Sequence, residues 1–216
     1  MFARQTTRRD AAQHERSAVI AVVDYTAGNL TSVMKALAAV DANAVSTDDP
    51  ETVARAERII LPGVGHFQAT AFLEDHGLRQ AIAEQIAKGV PFLGICVGLQ
   101  WLFRGSTEAP GSPGLGTFDA ICDRFIAGKK VPHVGWNSLV VREDSELLRG
   151  VETGSCVYFT HSYRAPVMYD TVAVTEYGEA FTAAAERDNV MGVQFHPEKS
   201  GPVGLRILRN FVVLKC

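Results

Sequence analysis

Three common features are missing from this 216-residue sequence, and each absence excludes a class of protein. No apolar run approaches the roughly 18 residues that a helix needs to span a bilayer, so we expect no membrane-spanning segment. The net charge of −3 provides no electrostatic attraction for nucleic acid or for an anionic membrane surface. The four cysteines show no Cys-x-x-Cys spacing, which argues against a zinc site and a disulfide framework. We expect no metal or cofactor, and a reducing, cytoplasmic setting.

The first 17 residues lack the apolar core of a signal peptide. They are polar, and we interpret them as a disordered tail or the product of an alternative start, with Arg4, Arg8 and Arg9 as solvated charges. The whole chain is 47% hydrophobic, enough for a substantial core. Residues 18–216 are therefore expected to form one α/β domain.

Strand and helix patterns alternate in the first half of the chain. Strands are predicted at 18–23, 42–46, 58–61 and 90–95, and helices at 29–40 and around Leu78, Ile82 and Ile86. Such alternation predicts a mainly parallel central sheet flanked by helices. After Phe118 the apolar segments become shorter and predict added antiparallel strands. A closing amphipathic helix over 203–214 is predicted to pack Leu205, Leu208 and Val212 on one side.

The segment Gly94-Ile95-Cys96-Val97-Gly98 is predicted to be a sharp turn from a buried strand into a helix. Glycines on both sides of Cys96 leave room for a turn that larger residues would block. The positive end of a helix favours a thiolate at its N-terminus, so Cys96 is a candidate nucleophile. A buried core cysteine is the alternative for this segment taken alone.

A second segment, Val190 to Ser200, supplies a candidate base. Pro197 disfavours helical geometry at His196, and residues two apart in an extended segment point the same way. Glu198 can therefore lie beside the imidazole of His196. A surface His-Pro-Glu turn is the alternative here, but the two segments together form a Cys, His, Glu set of nucleophile, base and orienter.

These motifs resemble the class I (triad) glutamine amidotransferases, whose glutaminase domains carry Gly-x-Cys-x-Gly followed by Gln and, near the C-terminus, His-Pro-Glu. Within that family the sequence is similar to the glutaminase subunits of imidazole glycerol phosphate synthases. The segments that carry this narrower resemblance are 24–30, 62–65, 131–137, 158–163 and 194–200. The resemblance begins at about Ala18 and runs to the last residue.

The resemblance implies a single-domain class I amidotransferase fold and a glutaminase chemistry. Cys96 attacks the side-chain amide of L-glutamine, His196 transfers protons and Glu198 orients His196, through a thioester intermediate. Ammonia passes to a separate (β/α)8-barrel cyclase/synthase subunit in a heterodimer, which makes imidazole glycerol phosphate and an aminoimidazole carboxamide ribotide in histidine biosynthesis.

The resemblance also assigns roles to residues outside the triad. The oxyanion hole is assigned to Val97 and to Gly63 and Val64. Because a glycine can turn its peptide over at little steric cost, we expect the Gly63–Val64 peptide to reorient when the partner and the acceptor bind. The implied glutamine-binding residues are Gly65, Gln100, Glu108, His161, Ser162 and Tyr163, and the implied partner-interface residues are Asn29, Trp136 and Lys199. The sequence has Arg104-Gly105 where family members often carry acidic residues, which weakens the assignment of Glu108.

Three other functions are alternatives for such a sequence. A donor subunit of another amidotransferase is disfavoured by the segments 133–137 and 158–163. A stand-alone cysteine γ-glutamyl hydrolase would be active without any partner. A catalytically silent binding module is hard to reconcile with intact Cys96, His196 and Glu198.

Overall fold

The computed structural model describes residues 19–26, 29–126, 130–142 and 145–214. The predicted N-terminal tail lies outside these residues. The helices are α1 (Leu30–Ala38), α2 (Pro50–Ala54), α3 (Ala71–Asp75), α4 (Leu78–Ala87), α5 (Val97–Trp101) and α6 (Gly201–Val212), with short 3-10 turns at Phe67–Thr70 and Pro197–Lys199. The strands are β1 (Ile20–Val23), β2 (Ala44–Thr47), β3 (Arg58–Gly63), β4 (Phe92–Cys96), β5 (Phe103–Ser106), β6 (Phe118–Arg124), β7 (His133–Ser138), β8 (Val140–Val141), β9 (Cys156–His161), β10 (Tyr163–Arg164), β11 (Thr171–Glu176), β12 (Ala180–Arg187) and β13 (Val190–Val193).

An eight-stranded mixed sheet forms the centre of the molecule, in the order β2-β1-β3-β4-β13-β12-β11-β8. The neighbours from β2 to β13 are parallel, whereas β12, β11 and β8 join antiparallel. Every residue of β1, β3, β4 and β13 is buried, as expected for strands covered on both faces. The prediction of a mainly parallel sheet with added antiparallel strands in the second half is confirmed.

Two smaller sheets lie beside the central one. β6 lies between β10 and β5 in a three-stranded sheet, and β7 pairs antiparallel with β9. Because β9 ends at His161 and β7 begins at His133, this pairing places the two histidines directly opposite each other. The small sheets thus bring the 133–138 and 156–164 segments close to the central sheet.

Side-chain hydrogen bonds fix one end of α2 and one end of α6. Asp49 precedes α2, and its carboxylate accepts the backbone N–H groups of Glu51 and Thr52, with Pro50 at the first helical position. At the other end of the chain, the buried guanidinium of Arg58 donates to the carbonyls of Phe211 and Leu214, which satisfies groups left open at the end of α6.

One predicted detail of α6 is wrong. The buried face of α6 consists of Ile207, Leu208 and Phe211, while Leu205 and Val212 lie only at its margin. The apolar residues of this helix span one wide arc, with Arg206, Arg209 and Asn210 on the opposite side, so the sequence pattern alone does not fix which apolar residues lie at the centre of the buried face. None of the helices in the described ranges combines the length and apolar character required to cross a bilayer.

Candidate active site

Cys96 lies at the turn from β4 to α5 in a strained backbone conformation. Its φ is 56° and its ψ is −104°, a region that residues with a Cβ rarely occupy. The next residue, Val97, already starts α5, so the cysteine is held at the end of the strand and the beginning of the helix. Such strain at a single residue is typical of functional sites and matches the nucleophile-elbow arrangement.

The glycines around Cys96 are needed because α5 packs directly on the strand backbone. A Cβ at Gly94 would lie 2.4 Å from the carbonyl oxygen of Gly98, and a Cβ at Gly98 would lie 1.9 Å from that of Leu61. A Cβ at Gly192, on the neighbouring strand β13, would meet the Leu99 side chain at 2.4 Å. The close approach of helix and sheet therefore fixes the position of the elbow.

The Gly98→Ala substitution is expected to destabilise the fold, since the new methyl group would overlap the Leu61 carbonyl. Overpacking of this kind typically costs about 1–3 kcal/mol. Urea unfolding followed by circular dichroism measures the change in free energy of unfolding. Gly111→Ala is the matched control, because nothing lies within 4 Å of a Cβ at that position. Equal stability of the two variants would contradict the close packing of α5 on β3.

His196 and Glu198 form a buried pair beside the elbow. His196 follows β13, which pairs with β4 in parallel register, so the base approaches Cys96 from the adjacent strand. The Nδ1 atom of His196 lies 2.9 Å from Oε1 of Glu198, and both side chains are 1% exposed. The predicted contact is therefore present, but Glu198 lies in a 3-10 turn that begins at Pro197 rather than in an extended segment.

The environment of His196 favours its protonated form. Burial by itself lowers the pKa of this imidazole, but the negative charge of Cys96 and the hydrogen bond to Glu198 outweigh burial and raise the pKa to about 10. The Nε2 atom is buried and makes no hydrogen bond of ordinary geometry with the described residues. A protonated imidazole with one nitrogen held by a carboxylate and the other directed at the thiol region can serve as a proton donor.

Ser200 fixes the backbone around the histidine. Its hydroxyl donates to the carbonyl of His196 at 2.6 Å and accepts the backbone N–H of Tyr158 at 3.0 Å. The backbone N–H of His196 in turn donates to the carbonyl of Tyr158 at 2.9 Å. These bonds join the His196 segment to β9.

The segment assigned to the oxyanion hole follows β3 directly. Gly63 is the register partner of Cys96 across the β3–β4 pair, which brings Val64 next to the elbow. A Cβ at Gly63 would lie 2.1 Å from the Tyr25 hydroxyl and 2.8 Å from Cβ of Val97. Glycine is thus required at this position for space, and a Gly63→Ala variant cannot isolate the flexibility of the Gly63–Val64 peptide. Within this segment the exposed Gly65 adopts a positive φ, of 100°.

The residues assigned to glutamine binding lie in two groups. Gln100 is buried in α5, and its Nε2 donates to the carbonyl of Tyr163 at 2.9 Å. The carbonyl of the half-buried Ser162 accepts the backbone N–H of Phe125. Glu108 lies on another loop, where its Oε2 accepts the backbone N–H of Phe67 at 2.8 Å, next to the oxyanion segment. The binding roles of these residues stay predictions.

His161 belongs to a buried pair of neutral histidines. Its Nδ1 donates to the carbonyl of Tyr163 at 2.8 Å, which leaves Nε2 to accept from Nδ1 of His133 at 3.2 Å. Burial lowers the pKa of His133 to about 4 and that of His161 to about 3. The rings of Phe125, Phe159 and Phe181 surround both imidazoles.

The residues assigned to a partner interface are exposed or lie close to exposed side chains. Trp136 is 58% exposed, and its ring lies 6.1 Å from that of Tyr158 in an edge-on arrangement. The Nζ of exposed Lys199 lies 5.9 Å from the centre of the same Tyr158 ring. Asn29 precedes α1, which contacts the 3-10 turn that carries Lys199.

Two polar residues at the elbow had no role assigned from the sequence. Gln194 is fully buried, and its Nε2 atom lies 3.6 Å from the Cys96 sulfur. The hydroxyl of Tyr25 is also buried, and it has no hydrogen-bond partner among the described residues. The sequence contains one signal for Gln194, because it lies within the apolar run that ends at Phe195. A glutamine in such a run is expected to be buried, and a buried amide must find hydrogen-bond partners. No cluster of three or more potential metal ligands occurs in the described part of the chain.

A protein-family model described as glutamine amidotransferase class-I matches residues 21–215. The chain belongs to this family. Among solved structures, one titled as a glutamine amidotransferase superposes with a TM-score of 0.71 at 18% identity and covers 90% of this chain and 99% of its own. The structure titled PurLQS from Thermotoga maritima gives a TM-score of 0.69 at 22% identity. These two likenesses show the class I amidotransferase fold.

Curated relatives place the chain more narrowly within the family. A protein of Methanothermobacter thermautotrophicus named imidazole glycerol phosphate synthase subunit HisH is 48% identical over 195 residues, which are 90% of this chain and 98% of the relative. The protein of the same name from Thermococcus kodakarensis is 49% identical over 199 residues, or 89% and 98% of the two chains. A third, from Streptococcus mutans, is 45% identical over 200 residues, or 91% and 99%.

Proposed function

We infer that this chain is the glutaminase subunit of an imidazole glycerol phosphate synthase and acts in histidine biosynthesis. It hydrolyses L-glutamine to glutamate and passes the ammonia to a separate (β/α)8-barrel synthase subunit. The observation that carries the proposal is the placement of Cys96 at a strained elbow, with the His196–Glu198 pair on the adjacent strand. The relatives named as HisH subunits support the particular synthase.

The proposed reaction begins with attack of the Cys96 sulfur on the side-chain carbonyl of glutamine. The oxygen of that carbonyl becomes an oxyanion, for which the backbone N–H of Val97 and that of Val64 are the proposed donors. Protonated His196 then gives its proton to the departing nitrogen, and ammonia leaves a thioester on Cys96. His196 next takes a proton from water, which attacks the thioester and releases glutamate.

Gln100 can offer the substrate only an acceptor in the observed arrangement. Both hydrogens of its amide are used, one toward the carbonyl of Tyr163 and the other toward Oε1 of Gln194. We therefore propose that Oε1 of Gln100 contacts the α-ammonium group of glutamine rather than its carboxylate.

The partner is proposed to dock on the face that contains Trp136 and Lys199. An exposed tryptophan is the residue type most often found to anchor a protein contact. The proposal is supported by Tyr158, whose ring lies close to the side chains of Trp136 and Lys199 and whose carbonyl accepts the backbone N–H of His196. The free thiols of the described cysteines fit a reducing compartment, and we place the activity in the cytoplasm.

Glutamate release by the isolated chain is expected to be slow and to rise about 10²- to 10³-fold when the synthase subunit binds, the range that one missing oxyanion donor costs. The test mixes the purified chain with candidate (β/α)8-barrel synthases and measures glutamate release with each. Stimulation by the synthase that makes imidazole glycerol phosphate, and by no other, supports the proposal. Full activity of the isolated chain would instead indicate a stand-alone γ-glutamyl hydrolase.

A further inference from the structure

A buried side-chain amide lies against the sulfur of Cys96. Gln194 follows β13 two positions before His196, and none of its surface is exposed. Its backbone N–H donates to the carbonyl of Ala183 at 2.8 Å, which fixes the residue to β12. Its Nε2 lies 3.6 Å from the Cys96 sulfur, a distance suitable for a hydrogen bond to sulfur.

The surrounding hydrogen bonds determine which end of the Gln194 amide faces the sulfur. The carbonyl of Tyr163 can only accept, so the end of Gln100 that faces it must be the NH₂ group. The same NH₂ group lies 3.1 Å from the Gln194 amide, whose near atom must therefore be oxygen. The NH₂ group of Gln194 is then left to face Cys96. The carbonyl of Tyr163 thus determines the orientation of the Gln100 amide, and the Gln100 amide determines that of the Gln194 amide.

This orientation makes the sulfur a hydrogen-bond acceptor. An N–H group stabilises a negatively charged sulfur more than a neutral thiol, because hydrogen bonds to charged groups are the stronger ones. The carbonyl of Thr160 lies 4.0 Å from the sulfur and offers an acceptor to the thiol form, but at a longer distance. The titratable groups that act on Cys96 from the neighbouring elements are His196, with Glu198 behind it, and Tyr25.

We propose that Gln194 is a positioning residue that donates to the Cys96 sulfur and holds it in the reactive thiolate form, with Gln100 fixing its orientation. The proposal rests on the proposed function of Cys96 as the nucleophile. Gln100 then has two roles, since the amide that offers Oε1 to the substrate also sets the direction of the donor to the nucleophile. A change that displaces Gln100 would therefore impair both the binding of glutamine and the attack by Cys96.

The test measures how fast iodoacetamide modifies Cys96 in the full-length chain without glutamine, at mildly acidic pH, by mass spectrometry of the Cys96 peptide. Reading that peptide separates Cys96 from exposed Cys156. Gln194→Met removes the donor with little change in volume and is expected to slow modification about tenfold, on the scale of one charged hydrogen bond. Gln194→Leu also removes the donor, with a slightly smaller apolar side chain, and is expected to slow modification by a similar factor.

Gln85→Met is the matched control, because Gln85 is also a buried glutamine, in α4, whose amide donates to the carbonyl of Ala54. It is expected to lose stability without slowing the modification of Cys96. Wild-type modification rates in folded Gln194→Met, or in folded Gln194→Leu where the methionine variant does not fold, would overturn the proposal. A different result would contradict the proposed function itself, namely glutaminase activity that survives Cys96→Ala.

Discussion

Cys96→Ala is expected to reduce glutamine hydrolysis by about 10⁴- to 10⁶-fold, the scale seen when a triad nucleophile is removed. No thioester can form without the sulfur, and no other described thiol lies at the elbow. Alanine has the same backbone restriction as cysteine at φ 56°, so the substitution adds no new strain to the turn. The loss should therefore be confined to the chemistry.

Glutamate release in the presence of the synthase subunit measures this effect. The variant should still bind that subunit, and ammonia added directly should still support synthesis, because the proposed interface lies at Trp136 and Lys199. Cys156→Ala is the control, since it removes an exposed thiol from β9. Similar rates in the two alanine variants would show that Cys96 is not the nucleophile.

His196→Ala is expected to cost more than Glu198→Gln. In the proposed reaction the imidazole performs both proton transfers, whereas the carboxylate orients it and stabilises its charge, so we expect losses in kcat of about 10⁶-fold and about 10⁴-fold respectively. His196→Gln is a second variant that fills more of the buried space. His76→Ala, at the exposed histidine that follows α3, is the control.

The two substitutions should also differ in the pH dependence of kcat. Glu198 raises the pKa of His196, so its replacement by glutamine should lower that pKa. The protonated imidazole would then be lost at lower pH, and the alkaline fall in kcat should move to lower pH in Glu198→Gln. Equal losses for the two variants, or a reversed order in folded protein, would mean that the base and its orienter have been assigned wrongly.

The elbow could be predicted because its constraint is local. Two glycines flank Cys96 within one pentapeptide, and a buried strand before them with a helix after them leaves little choice of geometry. The pairing of His196 with Glu198 could be predicted for the same reason, because the two residues are only two positions apart in the sequence. In both cases the information lies within a few residues of the chain.

The alanine-rich strand β12 was not predicted. Ala183, Ala184 and Ala185 favour a helix by intrinsic propensity, yet they are fully buried in a strand between β11 and β13. Similarly, the apolar residues from Leu99 to Phe103 favour a continued elbow helix by their sequence pattern, whereas α5 ends at Trp101 and Phe103 begins β5. Tertiary packing overrides local preference at both places.

The role proposed for Gln194 depends on contacts that no local pattern contains. Its orientation is determined by Gln100 and by the carbonyl of Tyr163, which are distant in the chain and meet only when α5 packs beside β10. The histidine pair depends in the same way on the register of β7 and β9. Such networks require the three-dimensional arrangement.

The central position of β13 has a consequence for protein synthesis. β13 pairs with β4 on one side and β12 on the other, although it is translated long after β4. Until residues 190–193 have left the ribosome, the strand that carries Cys96 has an open edge, which invites pairing with other chains. Insertion of β13 closes that edge and delivers His196 in the same step, so a nascent chain acquires its base only when its sheet becomes continuous.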